Sequence, residues 1–468
     1  MSPALIISLV LTLAFIVWLA IWTGTHQKKN KEKGSGPLLV SGVIIGTLVG
    51  GSSTVGTAQL AYTYGMSAWW FTLGAGISCL VLGLVYTVPL RRNGSPTLVG
   101  MIRKEYGSQV GMTASVLNSV GTFINIISQI LSATAVVAVI LPSLGIGAAA
   151  AFSAVFMILY VVFGGTRGAG IVGIVKTILL YVAMMACGIM VLQMTKGVSG
   201  FVTMVQNIDN PEGVRFFSLL ARGAGTDLGS ALSLLLGVLT TQTYAQGVLS
   251  ARSDSAGKAG AVLSAFLIPP IGIGGILVGL YMRAHAAAYP GMTAKTALTT
   301  YITAHMPAAL AGVVLAGLFI AAVGTGAGLA LGISTMLNND IVPRVTHRFD
   351  DPEKSEKLGR LWIVLVLALA GVLSCGQLGD IILQFAFMSM GLRAAVVFMP
   401  LLGALWLPGK VDSRFIMASV ILSPAAVFAG KILGVPFDSL FLGMGVSVIC
   451  FLGGLAAKKG KPGSGLSE

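Results

Sequence analysis

The sequence predicts an all-α integral membrane protein with about 13 transmembrane helices. Three observations predict it: 9% of the residues are charged, 55% are hydrophobic, and the mean hydropathy is +0.91. A soluble chain would need roughly a quarter of its residues charged to cover its surface. Apolar stretches of about 20 residues, the length that crosses a bilayer, follow one another from Ala4 to Ala457. We therefore expect a multi-pass protein of the cell membrane, with lipid as its main partner.

The predicted elements divide the chain into five parts. Residues 1–24 form an additional, retained first helix, because no basic segment precedes it and no cleavage site follows. Two sets of five helices occupy 38–195 and 229–407, two more helices lie within 415–457, and 458–468 is a cytoplasmic tail. The individual spans are predicted at 38–62, 68–90, 110–141, 146–163, 169–195, 229–250, 260–282, 309–335, 359–377, 381–407, 415–434 and 437–457, with short amphipathic helices possible in the segments 196–228 and 284–307.

The distribution of positive charge predicts the orientation. With the N-terminus outside and the C-terminus inside, 21 of the 29 Lys and Arg residues fall in inner loops, as the positive-inside rule favours. The same scatter of cations between apolar spans argues against a nucleic-acid partner, which requires a basic patch on one face. Only six cations lie in outer loops: Lys196, Arg215, Arg222, Arg283, Lys295 and Lys431.

The two sets of five helices start on opposite sides of the membrane, which predicts an inverted repeat. In such repeats the first helix of each set is often discontinuous and binds a solute at the bilayer midplane. The first set opens with GTLVGGSSTVGTAQ (residues 46–59) and the second with LLLGVLTTQTYAQG (234–247), both polar or glycine-rich in mid-span. Glycine, serine and threonine also serve as close-packing residues between membrane helices, so a purely structural interpretation stays open.

Two cations, Lys176 and Arg393, are predicted to lie deep within spans. Charges in hydrocarbon are costly and are therefore functional candidates. An anionic solute is the most economical counter-ion for Arg393, although a structural strut is an equal alternative. Lys176 can exchange its proton and so is a coupling candidate, unless it reaches the cytoplasmic headgroups. No Asp, Glu or His is expected at comparable depth.

Uncharged polar residues in the spans are candidates by position. Asn125 of the third core helix shares one face with Asn118 and Gln129, and Gln59, Thr241 and Gln242 flank the expected breaks. Hydrogen bonding between helices would explain any one of them.

Three segments make the chain resemble the sodium:solute symporter family, which includes sodium-coupled sugar, proline, sialic acid and pantothenate transporters. They are GGSSTVGTAQ (50–59), QGVLSARSDSAGKAGAVLSAFLIPP (246–270) and GLFIAAVGTGAGLALGISTMLNNDI (317–341). The resemblance extends to about Trp406 and implies the same five-plus-five inverted repeat. It also implies solute contacts at Asn125, Thr241, Gln242 and a position near Gln384, while Gln59 and Arg393 are candidates from position and charge.

The resemblance further implies a sodium ion between the first and eighth core helices. Its ligands would be carbonyls of Gly51, Thr54 and Ala321 and two hydroxyls at positions 324 and 325, of which Gly324 lacks one and Thr325 keeps one. Lys176 stands near the place of a family aspartate. A fixed charge ~5 Å from sodium would cost roughly 3 kcal/mol at an effective dielectric near 20, and an ammonium could replace the ion instead.

The sequence as a whole predicts a secondary transporter, not an enzyme, that moves a small organic solute by alternating access. Sodium symport is the first expectation, and a proton-coupled or sodium-independent carrier that uses Lys176 is the alternative. A channel or a non-transporting sensor is a more remote possibility. No cofactor is expected beyond the transported Na⁺ or H⁺, and sodium is the only expected metal.

Overall fold

The computed structural model describes residues 2–26, 34–164, 169–210, 212–345, 351–375 and 382–459. Within those ranges the secondary structure is helical, apart from one isolated β-bridge between Ser35 and Ala251. The predicted basic loop, with Lys28, Lys29, Lys31 and Lys33, and the tail from residue 460 lie outside the described residues.

Nine helices of the described ranges are long and apolar enough to cross a membrane, and a tenth if one bent pair counts as a single span. The predicted all-α, multi-pass membrane class is thereby confirmed, whereas the exact number of crossings stays a prediction. The helices of the first half are α1 (Pro3–His26), α2 (Pro37–Leu48), α3 (Thr57–Tyr64), α4 (Trp70–Val81), α5 (Thr87–Asn93), α6 (Leu98–Tyr106), α7 (Ser108–Ile140), α8 (Ile146–Gly164), α9 (Ala169–Met194) and α10 (Val198–Gln206).

The second half continues the helical pattern, with short helices in the loops on either side of the long ones. Its helices are α11 (Ala224–Leu239), α12 (Gln242–Leu249), α13 (Asp254–Ala284), α14 (Ala297–His305), α15 (Ala308–Met336), α16 (Val342–Val345), α17 (Pro352–Cys375), α18 (Ile382–Trp406), α19 (Ser413–Ile432) and α20 (Leu440–Lys459).

Three long helices form the centre of the molecule. The most apolar stretches of α7, α15 and α18 are 72%, 72% and 78% buried, whereas that of α17 is 28% buried. Helix α7 packs against both α15 and α18. The three central helices therefore form the interior of the protein, whereas α17 presents most of its surface to the hydrocarbon of a membrane.

The first interruption separates α2 from α3. Helix α2 ends at Leu48, Val49 is extended (φ −83°, ψ 102°), and a π-helical turn over Ser52–Gly56 leads into α3. A Cβ at Gly51 would lie only 2.2 Å from the Cβ of Ser132 on α7. Glycine is required here because the unwound backbone touches its neighbour directly.

The second interruption separates α11 from α12, which meet at an angle of 45°. Thr241 is extended (φ −95°, ψ 120°) between the two helices. Its Oγ1 donates to the carbonyl of Gly237 at 2.6 Å, and Oγ1 of Thr240 donates to the carbonyl of Leu236 at 2.9 Å. Both carbonyls also accept from the backbone N–H of Thr240, so the hydroxyls add further hydrogen bonds to the last turn of α11.

Candidate functional site

Lys176 lies at the first interruption and joins three helices. Its ammonium donates to the carbonyl oxygen of Gly46 on α2 at 2.7 Å and to Oγ1 of Thr325 on α15 at 2.8 Å. The side chain reaches this place because α9 lies directly against α2: a Cβ at Gly46 would be 2.6 Å from the Cα of Gly173. Lys176 is 4% exposed, so it does not extend to the membrane surface.

The other groups around this ammonium come from α2, α8 and α15. Thr325 Oγ1 also lies 3.5 Å from the carbonyl oxygen of Val49. A Cβ at Gly324 would be 3.9 Å from Lys176 Nζ and 3.8 Å from the hydroxyl of Tyr160. The ammonium therefore lies between the end of α2 and the Gly324–Thr325 turn, where the resemblance implies a cation.

The carbonyls at this place differ from the expected pair. The resemblance implies Gly51 and Thr54, whereas in the structure the carbonyl of Gly46 accepts from Lys176 and that of Val49 lies 3.5 Å from Thr325 Oγ1, five residues earlier with the same spacing. The physical reason is that α2 ends at Leu48, so its last turn holds the free carbonyls. The Gly51 carbonyl instead accepts within the π-helical turn.

The structure also describes Thr54 and Ala321, two further residues expected to bind the cation. The carbonyl of Thr54 faces Gly275 of α13, where a Cβ would approach it to 3.5 Å. Ala321 is fully buried on α15, one turn before Thr325. The structure thus places Thr325 and Gly324 at the ammonium and the Thr54 carbonyl against α13, and cation binding at Gly51, Thr54 and Ala321 stays a prediction.

Asn125 is linked to the first interruption through Gln129. Gln129 Oε1 accepts the backbone N–H of Gly51 at 2.9 Å, while its Nε2 donates to Ser52 Oγ at 2.7 Å and to Asn125 Oδ1 at 3.3 Å. All of these groups are buried. The side chain of Gln129 therefore satisfies the unwound backbone, and Asn125 is part of the same network.

The side chain of Gln59, on α3, contacts the start of α18, where Gln384 lies. Gln59 Oε1 accepts the backbone N–H of Ile382 at 3.0 Å, and Ser128 Oγ donates to the carbonyl of Ile382 at 3.0 Å. Gln384, two residues further on, is exposed. Gln59 thus ties α3 to α18, whereas Gln384 is not part of the buried polar network.

Arg393 lies at the second interruption and is fully buried. Its Nη1 donates to Thr241 Oγ1 at 2.8 Å, its Nε to the carbonyl of Ser389 at 3.2 Å, and its Nη2 to Met390 Sδ at 3.0 Å. A Cβ at Gly121 of α7 would lie 2.9 Å from Arg393 Cγ. The guanidinium therefore sits between α7 and the break and does not extend to headgroups.

Gln242 has a different environment from Thr241, its neighbour. Its Oε1 accepts the backbone N–H of Leu98 at 2.8 Å, and its Nε2 donates to the carbonyl of Pro96 at 3.1 Å. Both polar atoms of the amide are thereby used to hold the start of α6. In this arrangement Gln242 is a brace between the second interruption and the segment 96–98.

The sequence analysis missed a buried carboxylate. Asp227, in the first turn of α11, is fully buried, and its Oδ1 lies 2.7 Å from the Nε of Arg222. It also accepts from Ser67 Oγ at 2.7 Å, and Arg222 lies over the ring of Phe387 at 5.4 Å. The only hint in the sequence is its place in a helix first turn, where a carboxylate is favourable.

Comparison with curated proteins finds distant relatives. The chain is 24% identical over 290 residues to "High-affinity choline transporter 1" of Torpedo marmorata, covering 58% of this chain and 49% of the relative. It is 29% identical over 150 residues to "Uncharacterized symporter YwcA" of Bacillus subtilis (strain 168), covering 32% and 29%. The chain thus spans about half the length of the choline transporter that it matches.

Comparison with solved structures and with family models covers more of the chain. A Na⁺-coupled sialic acid symporter in a substrate-bound, outward-open state has a TM-score of 0.80 at 18% identity, over 100% of both chains. Mhp1 in its inward-facing conformation has a TM-score of 0.53 at 12% identity, over 92% of this chain and 91% of that one. These likenesses show the fold. Because the family model "Sodium:solute symporter family" matches residues 36–422, the chain belongs to the sodium:solute symporter family.

Proposed function

We propose that this chain is a secondary active transporter that moves a small organic solute across the membrane by alternating access. One observation carries the proposal: both interruptions contact polar side chains of central helices, through the backbone N–H of Gly51 with Gln129 of α7 and through the hydroxyl of Thr241 with Arg393 of α18. Interrupted helices in a bilayer are tolerated where they line a solute site. The solute binds between the two interruptions, and an anionic solute suits Arg393 best.

The finer architecture belongs to the same proposal. The two sets of five helices, residues 38–195 and 229–407, form an inverted repeat, with about 13 crossings in all, the N-terminus outside and the C-terminus inside. The position of the interruptions in the first helix of each set supports this arrangement. Residues 1–24 and 415–457 are additional helices around the repeat.

Sodium symport is the coupling mode that family membership supports. A downhill sodium gradient then drives accumulation of the solute, and the ion binds near Thr325. In this mode Lys176 must leave the position it has here, because an ammonium at 2.8 Å from Thr325 Oγ1 would repel sodium bound to the same hydroxyl.

A proton-coupled or sodium-independent carrier is the second candidate, and a specific observation favours it. The ammonium of Lys176 already uses the carbonyl of Gly46 and the hydroxyl of Thr325, two of the oxygen ligands a small cation would use. Protonated Lys176 holds α2, α9 and α15 together. Loss of its proton removes the charge from these bonds and allows the helices to separate, which couples proton transfer to the conformational change.

Reconstituted vesicles distinguish the two modes. Exchange of radiolabelled choline, proline, sialic acid, pantothenate and lactate first identifies a transported solute, whose accumulation is then measured under a sodium gradient or a pH gradient alone. Proton coupling through Lys176 predicts accumulation under the pH gradient that Lys176→Ala abolishes. Equal accumulation by both proteins under the sodium gradient alone supports sodium symport and excludes the Lys176 mechanism.

The same vesicles test the proposal against a channel and a sensor. A carrier saturates with solute concentration, whereas a channel conducts without saturation. A protein that binds a solute without taking it up is a sensor, and that result would overturn the proposed transport.

A further inference from the structure

The guanidinium of Arg393 has more donors than acceptors. It carries five N–H groups, and the described part of the chain offers them three acceptors: the Ser389 carbonyl, Thr241 Oγ1 and Met390 Sδ. A thioether is a weak acceptor, and two N–H groups have no partner there. Buried donors without partners are costly, so the site is incomplete without a further acceptor.

The charge of Arg393 also has no counter-ion in the described residues. The buried carboxylate of Asp227 is already paired with Arg222 at 2.6 Å, and no ion pair joins a described acidic side chain to Arg393. The Thr241 and Ser389 oxygens are neutral. A buried cation with only neutral partners leaves a strong preference for an anion, and the planar fork of a guanidinium matches a carboxylate in a bidentate manner.

Two further buried polar atoms, on the helices that carry Gly121 and follow Thr241, have no hydrogen-bond partner: Asn118 Oδ1 on α7 and Thr243 Oγ1 on α12. Asn118 lies one turn before Gly121, which packs on Arg393. Thr243 lies two residues after Thr241, and Thr241 contacts Arg393. Both side chains face the same stretch of α15, since Asn118 Nδ2 donates to Met336 Sδ at 3.2 Å and Thr243 Cγ2 lies 3.2 Å from a Cβ at Gly332.

A cavity of about 450 Å³ opens beside the segment that Gln242 braces. Its six lining residues include two cations and no acidic side chain: Asn93, Gly94, Ser95, Gly100, Arg103 and Lys104. In the proposed orientation the cavity opens to the cytoplasm. A positively lined mouth concentrates anions at its entrance.

From these observations we infer that the transported solute is a small organic carboxylate, bound through its carboxylate to Arg393 beside Thr241. The inference rests on the proposed transport function and names its substrate class. Asn118 and Thr243 bind a polar group of the same solute, such as a hydroxyl. Lys104, at the mouth of the cavity, attracts the anion on the cytoplasmic side.

Matched pairs of solutes test the charge requirement directly. The purified protein is heated with lactate or lactamide, nicotinate or nicotinamide, and sialic acid or its methyl ester, with choline as the cationic reference. We expect at least one carboxylate, and not its neutral counterpart, to raise the unfolding temperature saturably and to exchange in vesicles. Arg393→Gln should lower that exchange at least tenfold, whereas Arg393→Lys should retain part of it.

A surface variant keeps the test valid if Arg393→Gln does not fold. Lys104 is exposed. In low salt, Lys104→Gln should raise the KM for cytoplasmic carboxylate two- to threefold and leave kcat unchanged. High salt should abolish this difference in KM. Saturable exchange of choline or a neutral solute, with no carboxylate exchanged, would keep the transporter and overturn the inference. Absence of exchange for every solute would overturn both.

Discussion

The ammonium of Lys176 donates a 2.7 Å hydrogen bond to the carbonyl oxygen of Gly46, two residues before α2 ends. A carbonyl in the last turn of a helix has no partner within the helix, and the negative end of the helix dipole lies there. Both effects favour a cation at this point. In this structure the cation is a side chain, held also by Thr325 on α15.

Removing that side chain should create a sodium site. In Lys176→Ala combined with Gly324→Ser, the new hydroxyl stands beside Thr325, and a Cβ at position 324 has no contact closer than 3.8 Å. We expect sodium, compared with potassium, to raise the thermal midpoint of this double variant by more than that of the native protein, in which Lys176 must first leave Thr325. Sodium at about 100 times its Kd would stabilise by about 2.7 kcal/mol. Equal sodium stabilisation of both proteins would contradict the substitution of Lys176 for the ion.

The sequence predicted the helices and the two interruptions because lipid imposes both. Hydrocarbon requires long apolar helices, and polar or glycine-rich stretches such as the one around Gly51 can unwind within them only where protein surrounds them. Which backbone carbonyls lie beside Lys176 and Thr325 could not be predicted in the same way. They depend on where α2 ends, which is decided by contacts of Gly51 with Gln129 and Ser132 from a distant helix.

Which individual polar residues are buried could also not be predicted from the local sequence pattern. Asp227 follows a polar, glycine-rich run typical of an outer loop, yet Arg222 and Ser67 enclose it completely. Gln242 flanks a break as expected, but its amide braces Leu98. In each case the deciding partner is supplied by tertiary packing, which spacing along one helix does not reveal.

Gly51→Ala should prevent correct closure of the first interruption. The added Cβ would lie 2.2 Å from the Cβ of Ser132 and 2.6 Å from its Oγ, and overpacking of this kind typically costs about 1–3 kcal/mol. We expect a lower thermal midpoint and loss of uptake. Gly36→Ala is the matched control, because a Cβ there meets nothing within 4 Å. Recovery of the midpoint in Gly51→Ala with Ser132→Gly would identify the clash as the cause, and a midpoint unchanged by Gly51→Ala would refute it.

Asp227→Ala should destabilise the first turn of α11. It leaves Arg222, whose side chain is only 9% exposed, without its closest counter-ion, and removing one partner of a buried pair costs about 3–5 kcal/mol. Asp438 also faces Arg222, so the cost should fall at the lower end. The measurement is chemical or thermal unfolding in detergent. Glu353→Ala, which breaks a pair with both partners more than 70% exposed, should change little; equal effects of the two variants would contradict this assignment.

Acidification should weaken the packing of α14, which ends at His305. Its Nε2 lies 2.7 Å from the hydroxyl of Tyr289 and its ring packs on Tyr301, while burial and the neighbouring His285 lower the pKa of His305 from 6.5. A histidine with a lowered pKa stabilises in its neutral form, so its contribution is complete above about pH 6.5 and lost as the pH falls through the lowered pKa.

The test is the thermal midpoint of the native protein and His305→Gln between pH 8 and pH 5. The native protein should lose more of its midpoint on acidification than the variant. In His285→Gln the loss should be smaller and should end at a higher pH, because without His285 the folded-state pKa of His305 moves back toward 6.5. Parallel curves for the native protein and His305→Gln would exclude His305 as the titrating group.

A disulfide between positions 35 and 251 should stop transport reversibly. The backbone N–H of Ser35 donates to the carbonyl of Ser250 at 2.8 Å, and the N–H of Arg252 donates to the carbonyl of Ser35 at 2.9 Å. This bridge joins the start of α2 to the end of α12, two elements that alternating access must separate on the cytoplasmic side.

Ser35→Cys with Ala251→Cys, in a background where the exposed Cys375 is Ser, should lose at least nine-tenths of its uptake on oxidation and regain it on reduction. Because the cross-link holds only the start of α2 against the end of α12, binding of solute from the outside should persist in the oxidised protein. Full uptake by the oxidised, quantitatively cross-linked protein would show that α2 and α12 move as one body, and the proposed opening would then have to occur elsewhere.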